Sequence, residues 1–292
     1  MSTKVSVILP TYNYGRFIGN AIESVLAQTF PIYEIIVVDD GSTDETEEVV
    51  STFGDRISYI KQQNSGVCAA RNIGVENSSG DAIAFLDADD TWLPEKIEKQ
   101  VAKFKEDKEI GLVHCGIREF NNETGETIGL HLEGKEGRVA DALLLWEKVI
   151  NGPGSTVMVK RSVFETVGGF DTRLKNGEDW EFCYRVARRF KVGFVPELLV
   201  DYRNHGVNAH RNIKEMERST LIAWTKAFET EDEQVLRLRR KAFGNLHKVL
   251  AGCYLQNKEY IDFFRNLLKS LWFKPTLLFY YVSLLFGRGK TP

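Results

Sequence analysis

Residues 82–92, with the sequence AIAFLDADDTW, run from five apolar residues directly into three clustered carboxylates. The apolar part lacks polar alternation, which is typical of a strand covered on both faces. If the chain stays extended beyond it, Asp87 and Asp89 point to the same side and repel each other unless a cation lies between them. A hard divalent ion such as Mg²⁺ or Mn²⁺ accepts one or two carboxylates and keeps positions open for phosphate oxygens. The stretch therefore predicts a metal site suited to a diphosphate.

The same acids also have a simpler interpretation as helix caps. Residues 94–104 have a helical pattern, and Asp90 or Thr91 precedes it where a cap is expected. Capping explains one acid but hardly three. The metal site is therefore the favoured interpretation of the cluster.

Short apolar runs alternate with segments of helical periodicity before this stretch. Strands are predicted at residues 5–9, 34–38, 57–61 and from 82, and helices at 17–27, after the turn at 39–42, and at 67–75. Residues 42–45 resemble a capping box for the second helix. Four β–α units in series imply an α/β fold with a parallel sheet, right-handed crossovers and helices on both faces.

The carboxyl ends of such strands form the usual ligand-binding edge of the sheet. That rule gathers Thr11, Asp40, Arg71 and Asp89 at one rim. A dinucleotide-binding domain requires Gly-x-Gly-x-x-Gly after the first strand, whereas residues 10–15 contain a single glycine. The Gly-x-x-x-x-Gly-Lys-Ser/Thr phosphate loop is also absent from the sequence. The pocket is thus predicted to differ from both common nucleotide sites.

The composition limits which classes of partner, metal site and cellular location are expected. A net charge of −3 and the lack of a Lys/Arg run argue against nucleic acid. The four cysteines lie far apart among apolar neighbours, which predicts reduced buried thiols and disfavours zinc or a disulfide framework. The apolar run at 5–9 is too short for a signal-peptide core, so a cytoplasmic location is expected.

Several motifs agree in order and spacing with those of one known family. They are VSVILPTYN at 5–13, VVDDGS at 37–42, ARN at 70–72 and DADD at 87–90. Through them the chain resembles the inverting family-2 glycosyltransferases of GT-A fold. The resemblance implies a Rossmann-like, mostly parallel sheet flanked by helices.

The resemblance also implies contacts to a nucleotide-sugar donor. The residues implied to hold it are Pro10, Thr11, Tyr12, Asp40, Arg71, Asp87 and Ala88. Asp89 would hold Mn²⁺ or Mg²⁺ at the diphosphate. Taken singly, Tyr12 as a packing residue, Asp40 as a helix cap and Arg71 as a solvated charge are equally good interpretations. Their combination favours the nucleotide site.

A second acidic group, GEDWE at 177–181, opens a predicted helix. The positive end of the helix macrodipole favours carboxylates there and by itself explains Glu178 and Asp179. The resemblance implies instead that Asp179 is the general base that takes the proton from the acceptor hydroxyl. Glu178 is the competing residue. Adjacent residues at a helix start point in different directions, so only one of the two can face the acceptor.

Residues 202–205 (YRNH) resemble the family loop that closes over the diphosphate. His205 is thereby implied as a metal or phosphate contact. A histidine in a polar loop is more often solvent-exposed, and His210 competes for the same role.

From residue 213 onward the pattern is helical, so residues 1–212 are predicted as the catalytic domain and 213–292 as a helical C-terminal extension. Residues 263–292 contain five basic and no acidic residues among many aromatic ones. This composition is typical of a segment that lies on a membrane surface. Packing on the catalytic domain or on a second copy in a homo-oligomer is an equally good interpretation.

The resemblance implies an inverting, metal-dependent, non-processive transfer of a sugar to a hydroxyl acceptor, as in cell-surface polysaccharide or glycolipid synthesis. The acceptor would be a saccharide or a lipid-linked saccharide, met at the inner face of the cell membrane. A sugar nucleotidyltransferase is the first alternative, but it requires a Gly-rich phosphate loop that residues 10–15 lack. A binding protein without activity is the second, and the intact Asp87, Asp89 and Asp179 argue against it.

Overall fold

The computed structural model describes residues 3–205, 213–230 and 232–285. The chain separates into two compact units. The first consists of residues 1–140 and 148–209, and the second of residues 141–147 and 210–292.

The described part of the first unit is built on one nine-stranded sheet with the order β3-β2-β1-β4-β8-β6-β9-β5, and β7 pairs with β6 at its side. The strands are β1 (Val5–Thr11), β2 (Glu34–Asp39), β3 (Ser58–Lys61), β4 (Ala82–Phe85), β5 (Thr91–Trp92), β6 (Ile110–Asn121), β7 (Thr127–His131), β8 (Met158–Lys160) and β9 (Lys191–Asn204). The helices up to residue 205 are α1 (Gly15–Leu26), α2 (Thr46–Ser51), α3 (Val67–Glu76), α4 (Lys96–Glu106), α5 (Ala140–Leu144), α6 (Pro153–Thr156), α7 (Arg161–Val167) and α8 (Glu178–Ala187).

The first four strands confirm the predicted β–α units. β3, β2, β1 and β4 lie side by side and are all parallel. Every residue of β1 and of β4 is buried, as expected for strands covered on both faces. Helix α3 lies so close to β1 that a Cβ at Gly74 would come within 2.4 Å of the Ile8 side chain. This packing sets the height of α3, and therefore of Arg71, above the strand ends.

The second half of the sheet is mixed. β8 runs antiparallel to β4 and β6, while the long β9 runs parallel to β6. The α/β class and the flanking helices are confirmed, and the antiparallel pairings extend the parallel half. Strand β9 pairs with the full length of β6, and near its C-terminal end it also pairs with β5, the short strand that follows the acidic residues after β4. The C-terminal end of β9 therefore lies at the same edge of the sheet as the acidic end of β4.

Three local predictions differ from the structure. Helix α2 begins at Thr46, and its first N–H is bonded by Asp44 and not by the capping box expected from residues 42–45. The amphipathic pattern of residues 140–149 predicts a helix over that range, but the helix ends at Leu144. The sequence at 156–160 predicts a strand, but the strand begins at Met158, because residues 153–156 form the short helix α6 after the left-handed Gly152.

The second unit is helical where it is described, as predicted. Besides most of α5, its helices are α9 (Ile213–Ala227), α10 (Glu233–Gln256), α11 (Tyr260–Phe273) and α12 (Leu277–Leu285). Trp224, Leu250 and Tyr254 are among its buried side chains. None of the described helices combines the length and apolar character needed to cross a bilayer. All four cysteines of the chain are free thiols, and three of them are buried.

Candidate active site

The acidic stretch after β4 forms a turn instead of a continued strand. The Asp90 N–H donates to the Asp87 carbonyl at 3.1 Å. The predicted extended chain is therefore wrong, because strand alternation does not apply beyond Leu86. The two carboxylates expected to share one side have different partners: Asp87 accepts from Arg71, and Asp89 contacts His205.

Asp89 and His205 join the end of β4 to the end of β9. Asp89 Oδ2 and His205 Nε2 lie 2.9 Å apart, with the two side chains 16% and 3% exposed. The His205 ring packs against Phe17 and Tyr14. Burial and then the Asp87 carboxylate raise the pKa of Asp89, so a cation beside it would favour its ionised form. The competing His210 lies outside the described residues.

This pair fits a divalent cation that keeps open coordination positions. Carboxylate oxygen and imidazole nitrogen are both ligands of Mn²⁺, and two neighbouring ligands at about 2.1 Å from an octahedral ion lie about 3 Å apart. Within the described residues no group of three or more His, Cys, Asp or Glu side chains could enclose an ion. The remaining ligands would then be phosphate oxygens and water, which is how Mg²⁺ is usually held.

Arg71 of α3 connects the two acidic groups of the site. It is 3% exposed, and its Nη2 and Nη1 donate at 2.8 Å to Asp87 Oδ1 and to Glu178 Oε1. Its Nε is buried and has no partner among the described residues. The interpretation as a solvated charge is therefore wrong. A buried guanidinium needs such paired carboxylates, and Arg71 thus fixes α8 against the end of β4.

Asp179 is the second residue of α8 and stands outside these salt bridges. It shares a narrow recess with the rings of Phe85, Phe170 and Phe182 and with Arg71. Burial, reinforced by the neighbouring Glu178 carboxylate, raises the pKa of Asp179 to about 7. A carboxyl that titrates near neutral pH is suited to accept a proton during a reaction.

The loops after β1 and β2 form one continuous surface. The Asn13 N–H donates to Ser42 Oγ, and Asn13 Oδ1 accepts from the Thr43 N–H, both at 2.8 Å. Thr11 is buried, and its hydroxyl has no partner among the described residues. Tyr12 is 45% exposed. The exposed Tyr12 ring offers a stacking position for a base.

Asp40 holds the loop that leads into α3. Its Oδ1 accepts from Gln62 Nε2 and the Ser65 N–H, and its Oδ2 accepts from the Gly66 N–H, at 2.6–2.8 Å. The cap interpretation is wrong for this residue, because Asp44 bonds the first turn of α2 in its place. Pro10, Asp40 and Ala88 are all buried at the ends of β1, β2 and β4. The structure thus brings the predicted donor residues to one edge of the sheet.

Two residues that sequence reasoning left without a site role, Ser155 and Arg203, hold the acidic turn in place. Ser155 Oγ donates to Asp90 Oδ2 at 2.5 Å, and the Arg203 N–H donates to Asp90 Oδ1 at 3.0 Å. The Arg203 side chain also donates to the Asp89 carbonyl at 2.8 Å. The interpretation of Asp90 as a helix cap is wrong, because α4 begins only at Lys96 and the two Asp90 oxygens bond Ser155 and Arg203. The only sequence signal was the closeness of Arg203 to His205 and of Ser155 to a Gly-Pro-Gly turn.

Comparison with known proteins agrees with this geometry. Residues 6–168 match the family described as Glycosyl transferase family 2, and the chain belongs to that family. An uncharacterized glycosyltransferase of Rickettsia prowazekii is 33% identical over 208 residues, which is 70% of this chain and 65% of that protein. One from Nostoc is 36% identical over 216 residues, 71% and 66% of the two chains. The matches thus span just under two thirds of the length of these relatives.

Among solved structures, S. aureus TarS in complex with UDP-GlcNAc resembles this chain with a TM-score of 0.66. The match has 17% sequence identity and covers 92% of this chain and 81% of that one. At such low identity the likeness concerns the fold, which is the GT-A arrangement that the sequence predicts.

Proposed function

We propose that this protein transfers a sugar from a nucleotide-sugar to a hydroxyl acceptor with inversion, one sugar per encounter and with a divalent metal. The proposal rests on which of the acidic residues around Arg71 form ion pairs with it and which does not. Arg71 pairs with Asp87 and Glu178, while Asp179 stays outside these pairs and has its pKa raised to about 7. Of the two adjacent acids, Asp179 is therefore the one suited to act as base.

In this scheme the Asp179 carboxylate takes the proton of the acceptor hydroxyl. The oxygen forms a bond to the anomeric carbon as the bond from that carbon to the diphosphate breaks. A single displacement of this kind inverts the anomeric configuration and needs one base and no enzyme nucleophile. Arg71 pairs with Glu178 and holds the start of α8 at the end of β4. Asp179 would then face the acceptor hydroxyl.

The donor would lie along the edge formed by the first four strands. Thr11, Tyr12 and Asp40 would surround the nucleoside, and Asp87 and Ala88 would contact the sugar diphosphate. TarS was solved with UDP-GlcNAc, and its similar fold supports a nucleotide-sugar donor here.

Asp89 and His205 would hold Mn²⁺ or Mg²⁺, which supplies positive charge for the leaving diphosphate. Tyr14 and Phe17 pack on the His205 ring and restrict its rotation. Arg203 donates to the Asp89 carbonyl and fixes the backbone that carries this carboxylate.

The acceptor is proposed to be a saccharide or a lipid-linked saccharide, used in cell-surface polysaccharide or glycolipid synthesis in the cytoplasm. The sequence lacks the Gln-x-x-Arg-Trp motif of processive synthases, which supports addition of single sugars. The two relatives described above are uncharacterized glycosyltransferases, so the acceptor is the part to be found by screening.

One experiment tests the whole scheme: a panel of nucleotide-sugars and saccharide acceptors is assayed with Mn²⁺ or with a chelator. Wild type should release nucleoside diphosphate and form a product of inverted configuration, read by proton NMR. Asp179→Asn should lose about 10²- to 10⁴-fold in rate while binding the donor normally by calorimetry. Asp89→Asn should bind the donor equally with and without Mn²⁺.

Several results would contradict the scheme. Near-full turnover by Asp179→Asn together with an inactive Glu178→Gln would move the base to Glu178. A retained configuration would exclude single displacement. Release of pyrophosphate in place of nucleoside diphosphate would indicate a nucleotidyltransferase.

A further inference from the structure

Helix α11 in the second unit has an inverted distribution of side chains. Its buried residues are Asn266 and Ser270, whereas large apolar side chains point outward. The exposed ones, each 58–86% accessible, are Ile261, Phe264, Leu268 and Trp272. They recur at intervals of three or four residues and so form one stripe along the helix. A helix at the surface of a soluble protein normally buries its large apolar side chains and exposes its polar ones.

Helix α12 continues this apolar surface. Its sequence LLFYYVSLL contains no charged residue, and Leu278, Phe279 and Val282 are exposed. Together the two helices present seven large exposed apolar side chains on consecutive elements. An apolar surface of this extent on one part of a protein marks an interaction site.

Positive charge surrounds the corner between these helices. Lys274, in the turn between α11 and α12, has its pKa lowered by burial and then by the positive charges of Lys241 and Lys248 of α10. Arg240 of α10 donates to the Trp272 carbonyl at 3.2 Å, and the Lys248 ammonium lies 4.8 Å from the Tyr280 ring centroid. Basic side chains therefore border the apolar stripe on the α10 side.

The acids nearest α11 all lie beside a basic side chain. Glu217 and Asp262 pair with Arg265, and Lys214 lies 3.7 Å from Glu259 and 3.9 Å from Asp262. Beyond residue 262 the sequence contains five basic residues and no acidic one. The surface is thus apolar along its centre and positive at its edge.

We infer that the face formed by α11 and α12 lies in the interface of an anionic membrane, with the apolar stripe against the acyl chains and the α10 lysines at the headgroups. Amphipathic helices with aromatic residues on the apolar face and lysines or arginines beside it bind such surfaces in this way. Tryptophan and tyrosine are suited to the interface because one end of each is apolar and the other polar. The nine residues of α12 are fewer than the roughly 20 needed to span a bilayer.

A second copy of the chain is the competing occupant, and charge argues against it. A two-fold dimer places the same patch on both partners, so it brings two basic edges and no acidic one into one interface. Like charges brought together across an interface are costly. An anionic lipid surface instead complements both the apolar stripe and its basic edge. This inference does not depend on the proposed reaction.

Flotation of the full chain with vesicles tests the inference. The vesicles are phosphatidylcholine alone or equal parts phosphatidylcholine and phosphatidylglycerol. Wild type should float with the anionic vesicles and be released by high salt. Leu268→Gln/Trp272→Gln removes two exposed apolar side chains and should weaken binding at least about tenfold. The matched control is Ile128→Gln/Leu130→Gln, which changes two exposed apolar residues of β7 and should bind as wild type does.

The remaining outcomes count against the inference. Wild type that stays with the soluble fraction in the presence of anionic vesicles overturns it, as does equal flotation of the α11 double variant. Sedimentation velocity addresses the rival directly. A concentration-dependent dimer that the α11 double variant abolishes, without flotation of wild type, would assign the face to self-association. Melting temperatures of both double variants within a few degrees of wild type show that the fold is retained.

Discussion

The nucleotide side and the reacting side of the site are built in different ways. On the nucleotide side, loops after neighbouring strands hold each other through hydrogen bonds to backbone N–H groups, as Asn13 and Asp40 do. On the reacting side, side-chain contacts join segments far apart in sequence: the ion pair of Arg71 with Glu178 and the contact of Asp89 with His205. On the nucleotide side, a substitution therefore destabilises one loop. On the reacting side it destabilises three elements, because a lost partner leaves a buried charge elsewhere.

The largest effect is expected at Arg71. Arg71→Met leaves two carboxylates without their partner, and breaking a buried pair costs about 3–5 kcal/mol. Because the Asp87 side chain is 34% exposed, the lower end of that range is expected. Urea unfolding measures the loss, with Arg118→Met as the control. Arg118 pairs with Asp201 at an exposed position, where such pairs contribute about 0–1 kcal/mol.

Adding Glu178→Gln to Arg71→Met sharpens this test. The glutamine removes one of the unpaired buried charges, so the double variant should regain part of the stability that the single variant loses. An equal loss in Arg71→Met and Arg118→Met would show that the reacting side is no more coupled than the surface.

A smaller and opposite effect is expected at Asp179, whose folded pKa of about 7 lies above the ordinary value of 3.8. The folded state then binds the proton more tightly than the unfolded state, so stability falls as pH rises from about 4 to about 8. Asp179→Asn removes this penalty and should stabilise the protein by about 1–2 kcal/mol near pH 8, with no gain near pH 4. Over the same range the transfer rate of wild type should rise and level off above about pH 7 as Asp179 loses its proton.

Urea unfolding at several pH values measures this gain, with Asp55→Asn as an exposed control expected to stay within about 0.5 kcal/mol. A pH-independent difference between Asp179→Asn and wild type would contradict the raised pKa. Stability gained together with activity lost would mark Asp179 as a residue kept for the reaction.

The smallest effect is expected on the nucleotide side. Asn13 has φ of 57°, a conformation that an alanine resists and a glycine accepts. Asn13→Ala should cost about 1–2 kcal/mol, whereas Asn13→Gly should cost only about 0.5–1 kcal/mol for the lost bond to Thr43. The difference between the two in urea unfolding isolates the backbone term. Equal losses would mean that the side-chain bond, and not the left-handed backbone, determines the loop.

The sequence predicted the parallel half of the sheet because periodicity and turns are local signals. It also assigned Asp89 and His205 to one metal site through the family resemblance, and the structure brings them within 2.9 Å. The turn at Asp87 was missed, since a strand ending in acids resembles a strand continuing through them. The Arg71–Glu178 pair was missed because its members lie 107 residues apart. Nothing in either local sequence distinguishes such a pair from two surface charges.

Strand β9 has a consequence for the order in which the protein is made. The N-terminal part of a chain emerges from the ribosome first, and domains begin to fold during synthesis. The loops of the first four strands and the acidic turn are complete once residue 90 has emerged, yet His205 comes at the end of a strand that pairs along β6 in the middle of the sheet. A nascent chain therefore carries its nucleotide loops for more than a hundred residues of translation before Asp89 can meet its partner.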